Sequence, residues 1–548
     1  MSSLSAQVAA RFADITGVDP ELRLATKPQF GHYQTNVALR LAAEDGRVPR
    51  QVAADIVARV DVADLAEPLE IAGPGFINIR LRRDVLARAV VEQLASPTAG
   101  VPLADQPRTV VVDYSSPNVA KQMHVGHLRT TIIGDCFNRV LTALGHRVIA
   151  QNHVGDWGRQ FGMLIEQIAD EDLDLDRLDL AGAEELYLRA NAHLDADAGF
   201  ADRARARVVA LQGGDPATAA VWHRLIDIST AGFNQTYARL SVLLTDADIA
   251  GESSYNDQLA AVCDDLQARG LAVIDQGALV SFVPGFAAPA ILRNSAGGYG
   301  YDVTDVAALK HRVDDLAADR LVYVTDARQS DHFGLLFGLC RLAGYLPAAV
   351  EAEHVGYGMV MGPDGRPFKT REGTAAHLDD LLDAAEAVAT PEIALAAIKY
   401  ADLSNQLQKD YVFDADRMVQ STGDTGPYLQ YAHARVTQIL RQAQARGLAA
   451  PDDPATVTTL DEPAEQLLAL ALGRFGEVVA EVGATLQPHR LCRYLFELAT
   501  QLSVFYEQCP VLRAEGEVLA SRLGLCRATQ RVLAAGLGLL GIAAPERM

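Results

Sequence analysis

The sequence predicts an α/β protein. A parallel sheet carries helices on both faces, a small α+β unit precedes it, and an all-helical region follows. Three observations predict this. Between residues 108 and 390, short β-branched runs alternate with long helical stretches. The first hundred residues mix helical periodicity with one alternating strand. From about 391 the apolar spacing is almost wholly helical.

The elements follow in order. VALRLAAEDG (37–46) and RQVAADIVARV (50–60) read as helices. EIAGPGFINIRL (70–81) alternates as a strand entered through a glycine-proline turn. ASPTAGVPLADQP (95–107), rich in Pro, Ala and Gly, reads as a linker, so a first domain is expected over 1–105. The strands TVVVDYS (109–115), RVIAQNHVGDWG, RLVYVTDAR and EHVGYGMV then define a second domain over 106–390. Its interval from about 165 to 290, including DEDLDLDRLDLAGAEELYL, is acidic and mostly helical, and reads as an insertion between two halves of the sheet. In PYLQYAHARVTQIL the apolar residues recur at helical spacing, so 391–548 is expected to be a helical domain.

Composition narrows the class. The chain has 548 residues, enough for about three domains; 49% are hydrophobic and 22% charged, as in a soluble globular protein. The first residues, MSSLSAQVAARFADITG, lack the basic and apolar regions of a secretion signal. The longest apolar run, VLAAGLGLLGIAAP, is too short to span a bilayer. Six scattered cysteines form no CxxC pair and read as reduced cytosolic thiols. The net charge of −22 argues against a generally basic nucleic-acid surface. Binding is local, however. Arg435, Arg441 and Arg446 cluster in one late helical stretch, with Arg490 and Arg493 further on; the alternative is a solvated helix face.

The segment SPNVAKQMHVGHLRTT (116–131) carries the densest chemistry. His124 and His127 flank Gly126, with Lys121 just upstream, where a strand ends and a helix begins. A helix N-terminus presents free N–H groups and partial positive charge, which suits a phosphate. Gly126 lets a ligand approach the backbone closely. A metal pair and an ordinary capped turn remain alternatives, although no cysteine or carboxylate lies nearby in sequence to complete a metal site. Three other segments matter. MVMGPDGRPFKTREG (359–373) is a turn-rich loop that projects Lys369 and Arg371. In YGYDVTDVAAL (299–309), Tyr301 and Asp305 share a helix face; Asp305 either faces a cationic substrate such as a guanidinium or simply favours the first helical turn. NHVGDWGRQFG (152–162) either packs the sheet or lines a pocket.

An HxGH turn after the first strand, with a basic loop after a late one, resembles the class I aminoacyl-tRNA synthetases. The stretches SSPNVAKQMHVGHLRTT, NHVGDWGRQFGML, YVTDARQSDH, GRPFKTREG, KYADLSNQLQKDYVFD, TGDTGPYLQYAHARV, FYEQCPVL and the terminal ERM narrow this to the arginyl-tRNA synthetase family. The resemblance runs from GHYQTNVAL (31–39) to Met548. It implies a Rossmann-like catalytic domain, an N-terminal domain contacting the tRNA D-loop, and a C-terminal anticodon-binding helical bundle. It implies ligation of L-arginine to tRNA-Arg with ATP and Mg²⁺ as the substrate complex, activation that requires bound tRNA, and no editing site. No tightly bound protein metal and no membrane partner are expected, and the protein is expected to be a cytoplasmic monomer.

Roles carry over residue by residue. His124 and His127 would stabilise the ATP phosphates and Gly126 would admit the adenine. Lys121 supplies charge that arginyl enzymes often lack in the KMSKS loop; here Lys369 and Arg371 occupy that loop's place. Asn118, His124, Tyr301, Asp305 and Gln329 match the arginine-holding positions. Phe76 and Asn78 match the D-loop edge, and Tyr428, Tyr431 and Arg435 the tRNA-binding face of the helical bundle. The departures are few: HVGH for HIGH, RTT where RST is common, and GPDGRP without a lysine before its glycine.

Overall fold

The structure is a computed structural model that describes residues 3–362, 364–368, 376–448 and 457–548. It divides into two compact units. One joins Met1–Leu103 with Ser421–Met548, and the other is Ala104–Gln420.

The first unit opens with α1 (Leu4–Thr16), β1 (Arg23–Leu24), β2 (Tyr33–Thr35), α2 (Val37–Asp45), α3 (Pro49–Arg59), β3 (Glu70–Ala72), β4 (Phe76–Ile79) and α4 (Arg83–Ala95). The strands form an antiparallel sheet in the order β1-β2-β4-β3. Alternation in FINI sends Ile77 and Ile79, both fully buried, to the face that packs on α2 and α3.

The second unit holds β5 (Thr109–Asp113), α5 (Val125–Ala143), β6 (Arg147–Gln151), α6 (Arg159–Glu171), α7 (Leu180–Ala196), α8 (Ala198–Gln212), α9 (Pro216–Leu240) and α10 (Asn256–Ala268). It continues with β7 (Val273–Asp275), β8 (Ala278–Ser281), β9 (Ala290–Arg293), α11 (Tyr301–Asp314), β10 (Arg320–Asp326), α12 (Ser330–Leu342), β11 (Glu351–Tyr357) and β12 (Val360–Met361). α13 (Leu378–Glu386), α14 (Pro391–Leu403), β13 (Tyr411–Val412) and α15 (Ala415–Met418) close it. The main sheet is wholly parallel, in the order β11-β10-β5-β6. The chain builds outward from β5 to β6, then crosses to the other side of β5 for β10 and β11. The order therefore reverses between β5 and β10. In such sheets the crevice at the carboxyl ends of the strands beside that reversal is where ligands bind.

The interval from about 165 to 290 is mostly helical, as expected, but its helices end at Ala268; β7, β8 and β9 then form a separate antiparallel sheet. Its first hairpin turns at Gln276 and Gly277, which both have positive φ (47° and 83°), the backbone of a tight two-residue turn. The compact unit that holds the sheet continues past the expected boundary at 390 as far as Gln420. Asp402 of α14 is fully buried and ion-paired to Arg129 of α5, which ties α14 to the sheet unit.

The first unit resumes with α16 (Gly426–Ala445), α17 (Pro463–Gly473), α18 (Phe475–Thr485), α19 (His489–Gln508) and α20 (Gly516–Leu539). α4 packs on α17 and α20. The segment expected to be a linker is docked on these helices. Ala99 and Val101 are buried, Gln93 Nε2 donates to Ala99 O (3.2 Å) and Leu472 O (2.9 Å), and the Arg531 guanidinium donates to Leu94 O and Ser96 O. Satisfied carbonyls let a Pro- and Gly-rich segment lie against a core.

Candidate active site

The chain leaves β5 through a loop held in unusual backbone. Ser115, Ser116 and Ala120 all have positive φ (75°, 50° and 61°), which non-glycine residues adopt at a cost. A polar network offsets it. Ser115 N donates to Thr130 Oγ1 (3.0 Å) and Thr131 Oγ1 to Ser115 Oγ (3.0 Å). Ser116 N donates to Asn152 Oδ1 (2.9 Å), and the Tyr237 hydroxyl joins Ser115 Oγ (2.7 Å) and Asn152 Nδ2 (2.9 Å). The RTT departure keeps a hydroxyl at both positions, and both hydroxyls are used.

The loop delivers His124 as the N-cap of α5. His124 Nδ1 accepts from Gly126 N and His127 Nδ1 accepts from His124 N, each at 3.0 Å. A neutral imidazole that accepts at Nδ1 carries its proton on Nε2. Both rings therefore offer Nε2–H as a donor, and their centroids lie 3.9 Å apart. Burial, then the charge of His377, Lys121 and Arg328, lowers the proton affinity of His124; burial and His124 lower that of His127, to a pKa of about 3. Both are thus neutral donors near pH 7. A Cβ on Gly126 would sit 2.7 Å from His124 Cε1, so the glycine is required by the histidine cap itself. Among the described residues no group of three or more His, Cys, Asp or Glu is placed to hold a metal ion.

The turn is tied to both flanks of the basic segment. Val125 N donates to Ala376 O (3.2 Å) and Leu378 N to Met123 O (2.8 Å). On the other flank, Tyr357 donates its hydroxyl to Gly126 O (3.2 Å), and Arg129 Nη1 donates to Gly358 O (2.8 Å) and Lys409 O (3.1 Å). Arg129 is 1% exposed and its Nε pairs with Asp402 at 3.2 Å. Removing one partner of such a buried pair typically costs roughly 3–5 kcal/mol. Lys369 and Arg371 lie outside the described residues. Lys121 Nζ rests 4.2 Å from the centre of the Tyr187 ring on α7.

Acidic side chains of the same unit gather around His332 and His153. α11 starts at Tyr301, so its first-turn carboxylate is Asp302; Asp305 lies beyond it, which corrects the first-turn placement. Asp302 Oδ2 accepts from Ile291 N at 2.6 Å. Asp305 Oδ2 bonds His332 Nε2 at 2.7 Å, and its Oδ1 is 3.8 Å from His153 Nε2. Hydrogen bonds to Asp302 and Asp305 raise the His332 pKa to about 10. Glu252 is pushed up to about 8 by burial and by the charges of Asp305 and Asp156. Asp156 in turn clamps the neighbouring turn, accepting from Ser253 N (2.8 Å) and Ser253 Oγ (2.6 Å). The GDW segment therefore braces the turn that carries Glu252. Tyr301, the first residue of α11, is 72% exposed. Asn118 and Gln329 are also exposed; Asn118 bridges to Gly155 and Gln329 caps α12, which carries His332. Sequence reading did not single out Glu252, His332, His153 or Asp302: the last three lie inside stretches quoted above, but only the fold brings them together around Asp305.

The remaining candidates lie in the first unit. Phe76 is half-buried on β4. Asn78 is 5% exposed in mid-strand, opposite Gln34, with its Oδ1 taken by Gln34 Nε2 (2.7 Å), which corrects its expected place among the D-loop contacts: a buried, bonded amide does not reach RNA. On α16, Tyr428, Tyr431 and Arg435 share one face by their spacing. Tyr428 packs on Phe496, Tyr431 is 46% exposed, and the Arg435 guanidinium lies 3.9 Å over the Tyr506 ring.

Comparison with known proteins gives the family. Three family models match: the arginyl tRNA synthetase N-terminal domain over residues 2–81, the class I (R) tRNA synthetase catalytic domain over 90–393, and the DALR anticodon-binding domain over 429–548. The arginine–tRNA ligase of Cutibacterium acnes is 65% identical over 556 residues, covering all of both chains. That of Thermobifida fusca is 46% identical, covering 100% of this chain and 98% of the relative. Among solved structures, the arginyl-tRNA synthetase of Plasmodium falciparum superposes with a TM-score of 0.84 at 27% identity and full coverage of both chains. The Thermus thermophilus enzyme gives 0.80, also at 27% identity, over 100% of this chain and 99% of that one.

Proposed function

The chain belongs to the arginyl-tRNA synthetases of class I, and we infer from that membership and from its site that it is an arginine–tRNA ligase. The arginine carboxylate attacks the α-phosphorus of ATP, diphosphate leaves, and arginyl-adenylate forms. A ribose hydroxyl of the 3′-terminal adenosine of tRNA-Arg then attacks the acyl carbon and AMP leaves. Neither step needs a covalent bond to the protein; the enzyme supplies position and charge stabilisation. Magnesium enters with ATP as the substrate complex.

The observation that carries the site assignment is the pair of neutral Nε2–H donors at the N-terminus of α5, beside the strand-order reversal. His124 and His127 donate to phosphate oxygens as charge builds on them, and Gly126 leaves room for the adenine. Lys121, Lys369 and Arg371 neutralise the departing diphosphate. The guanidinium of arginine enters the acidic pocket, where Asp305 and the half-buried Glu252 face it. Asn118, His124, Tyr301 and Gln329 hold the rest of the amino acid. Phe76 contacts the D-loop; Tyr428, Tyr431 and Arg435 contact the anticodon arm. Activation depends on bound tRNA-Arg. The enzyme works as a cytoplasmic monomer, and among the described residues no helix is long and apolar enough to cross a membrane.

Charging tests the reading. Purified enzyme given ATP, Mg²⁺ and total tRNA is expected to attach labelled arginine, and not lysine or citrulline, to acid-precipitable RNA. Attachment of another amino acid in preference to arginine contradicts it.

A further inference from the structure

α11 and α12 meet across a histidine. α12 is seated by Phe333, which is buried against the Tyr323 and Phe337 rings and stacks on His354 with ring centroids 4.8 Å apart. His332, one position earlier, reaches α11 instead. Each of its ring nitrogens faces a carboxylate: Nε2 donates to Asp305 Oδ2 at 2.7 Å, and Nδ1 lies 3.4 Å from Asp302 Oδ1. A ring that serves two carboxylates from both nitrogens is an imidazolium. That cation stands in the first turn of α12, where the helix dipole disfavours positive charge. A charge placed against the preference of its own helix is held there by its partners. Asp302 is fixed in turn, since its Oδ2 accepts from Ile291 N of β9 at 2.6 Å. β9, Asp302, His332 and Asp305 therefore form one chain of contacts. It ends at Asp305 Oδ1, which is 3.8 Å from His153 Nε2, beyond hydrogen-bonding reach.

We propose that His332 is a positioning residue for arginine: it holds the Asp305 carboxylate so that Oδ1 is presented to the substrate guanidinium. The inference rests on reading Asp305 as the guanidinium partner. Two effects oppose each other. A carboxylate free to turn about its terminal torsion loses that freedom when a guanidinium binds; His332 removes the freedom beforehand, which favours binding. Against this, the imidazolium repels the incoming cation. Solvent screens that repulsion, because His332 and Asp305 keep 31% and 25% of their side-chain surface exposed, and Asp302 neutralises the imidazolium from its other side. Alignment therefore outweighs repulsion.

Arginine-dependent ATP–diphosphate exchange, run on the full-length enzyme at saturating tRNA, tests this with a pair of variants of similar bulk. His332→Leu, which has no donor, is expected to raise the KM for arginine about tenfold, the ratio that about 1.4 kcal/mol gives. Its kcat and its KM for ATP stay near wild type. His332→Gln, whose amide nitrogen donates to Asp305 without the charge, recovers most of the arginine affinity. Added to Asp305→Ala, His332→Leu raises the arginine KM no further, because no carboxylate is left to align. An arginine KM that is unchanged or lower in His332→Leu overturns the proposal, and so does an equal rise in the KM for ATP. Failure of His332→Gln to recover affinity, or full additivity with Asp305→Ala, also overturns it and leaves His332 as a brace between two helices. Asp305→Ala alone separates the two claims. If its arginine KM is normal, the reading of Asp305 as guanidinium partner itself fails. If its arginine KM rises while His332→Leu binds arginine normally, only the inference about His332 fails.

Discussion

Replacing Asp305 with asparagine probes the acidic pocket with the least change of shape. In the structure one carboxylate oxygen of Asp305 is committed to His332 at 2.7 Å, while the other lies 3.8 Å from His153 and is open to a guanidinium. A hydrogen bond to a charged group contributes roughly 1.5–3 kcal/mol. Asp305 keeps 25% of its side-chain surface exposed. Solvent screening therefore favours the lower half of that range, and about 2 kcal/mol corresponds to roughly a thirtyfold rise in the KM for arginine. The KM for ATP should change little, because Asp305 makes no contact with the histidine turn among the bonds described. Steady-state ATP–diphosphate exchange at saturating tRNA, varying each substrate in turn, reads both constants. The variant should also discriminate less against citrulline, whose side chain matches arginine in shape without its charge. Equal loss for arginine and ATP, or a large fall in Tm with both constants intact, refutes the assignment and leaves Asp305 as a brace for His332.

Further outcomes follow from the same geometry. His127→Ala should lower the turnover of activation by roughly a hundredfold, since one oriented donor is worth on the order of 3 kcal/mol, with ATP affinity little changed; normal turnover contradicts the role. Glu252, with its pKa raised to about 8, is protonated at neutral pH. A guanidinium binds its charged form, so the KM for arginine should fall as pH rises from about 6.5 to 8.5. Glu252→Gln should flatten that dependence, and a wild-type profile in this variant counts against the pairing. Phe76→Ala should weaken tRNA binding by about 1–3 kcal/mol if the ring stacks on a base. A large fall in Tm with tRNA affinity intact shows instead that its half-burial is core packing.

The parts that were legible in the sequence are those with a local physical signature. The β-branched runs gave all four strands of the parallel sheet, and Gly145 marks the end of α5 as its spacing predicts. The strand–HVGH–helix order gave the donor turn. What the sequence did not disclose depends on contacts between distant segments. The allegiance of α14 rests on its packing against α5 and α13 and on a buried ion pair 273 positions apart, Arg129 with Asp402. The docking of the Pro- and Gly-rich segment 95–107 rests on Arg531 and Gln93. The turn at Gln276 and Gly277 was a readable hairpin signal, overlooked inside a stretch dominated by helical periodicity. Glu252 and His332 are ordinary residues in sequence; only the folded chain sets them around Asp305.

The most direct test of the central claim is ATP–diphosphate exchange by the unmodified enzyme, with each amino acid offered singly, in the presence and absence of tRNA-Arg. Exchange is expected with arginine alone among the amino acids, and only when tRNA-Arg is present. Exchange that proceeds equally well without tRNA contradicts the proposed dependence on it. Exchange driven by another amino acid, or none with arginine and tRNA together, contradicts the assignment of His124, His127 and the Asp305 pocket as one arginine-activating site.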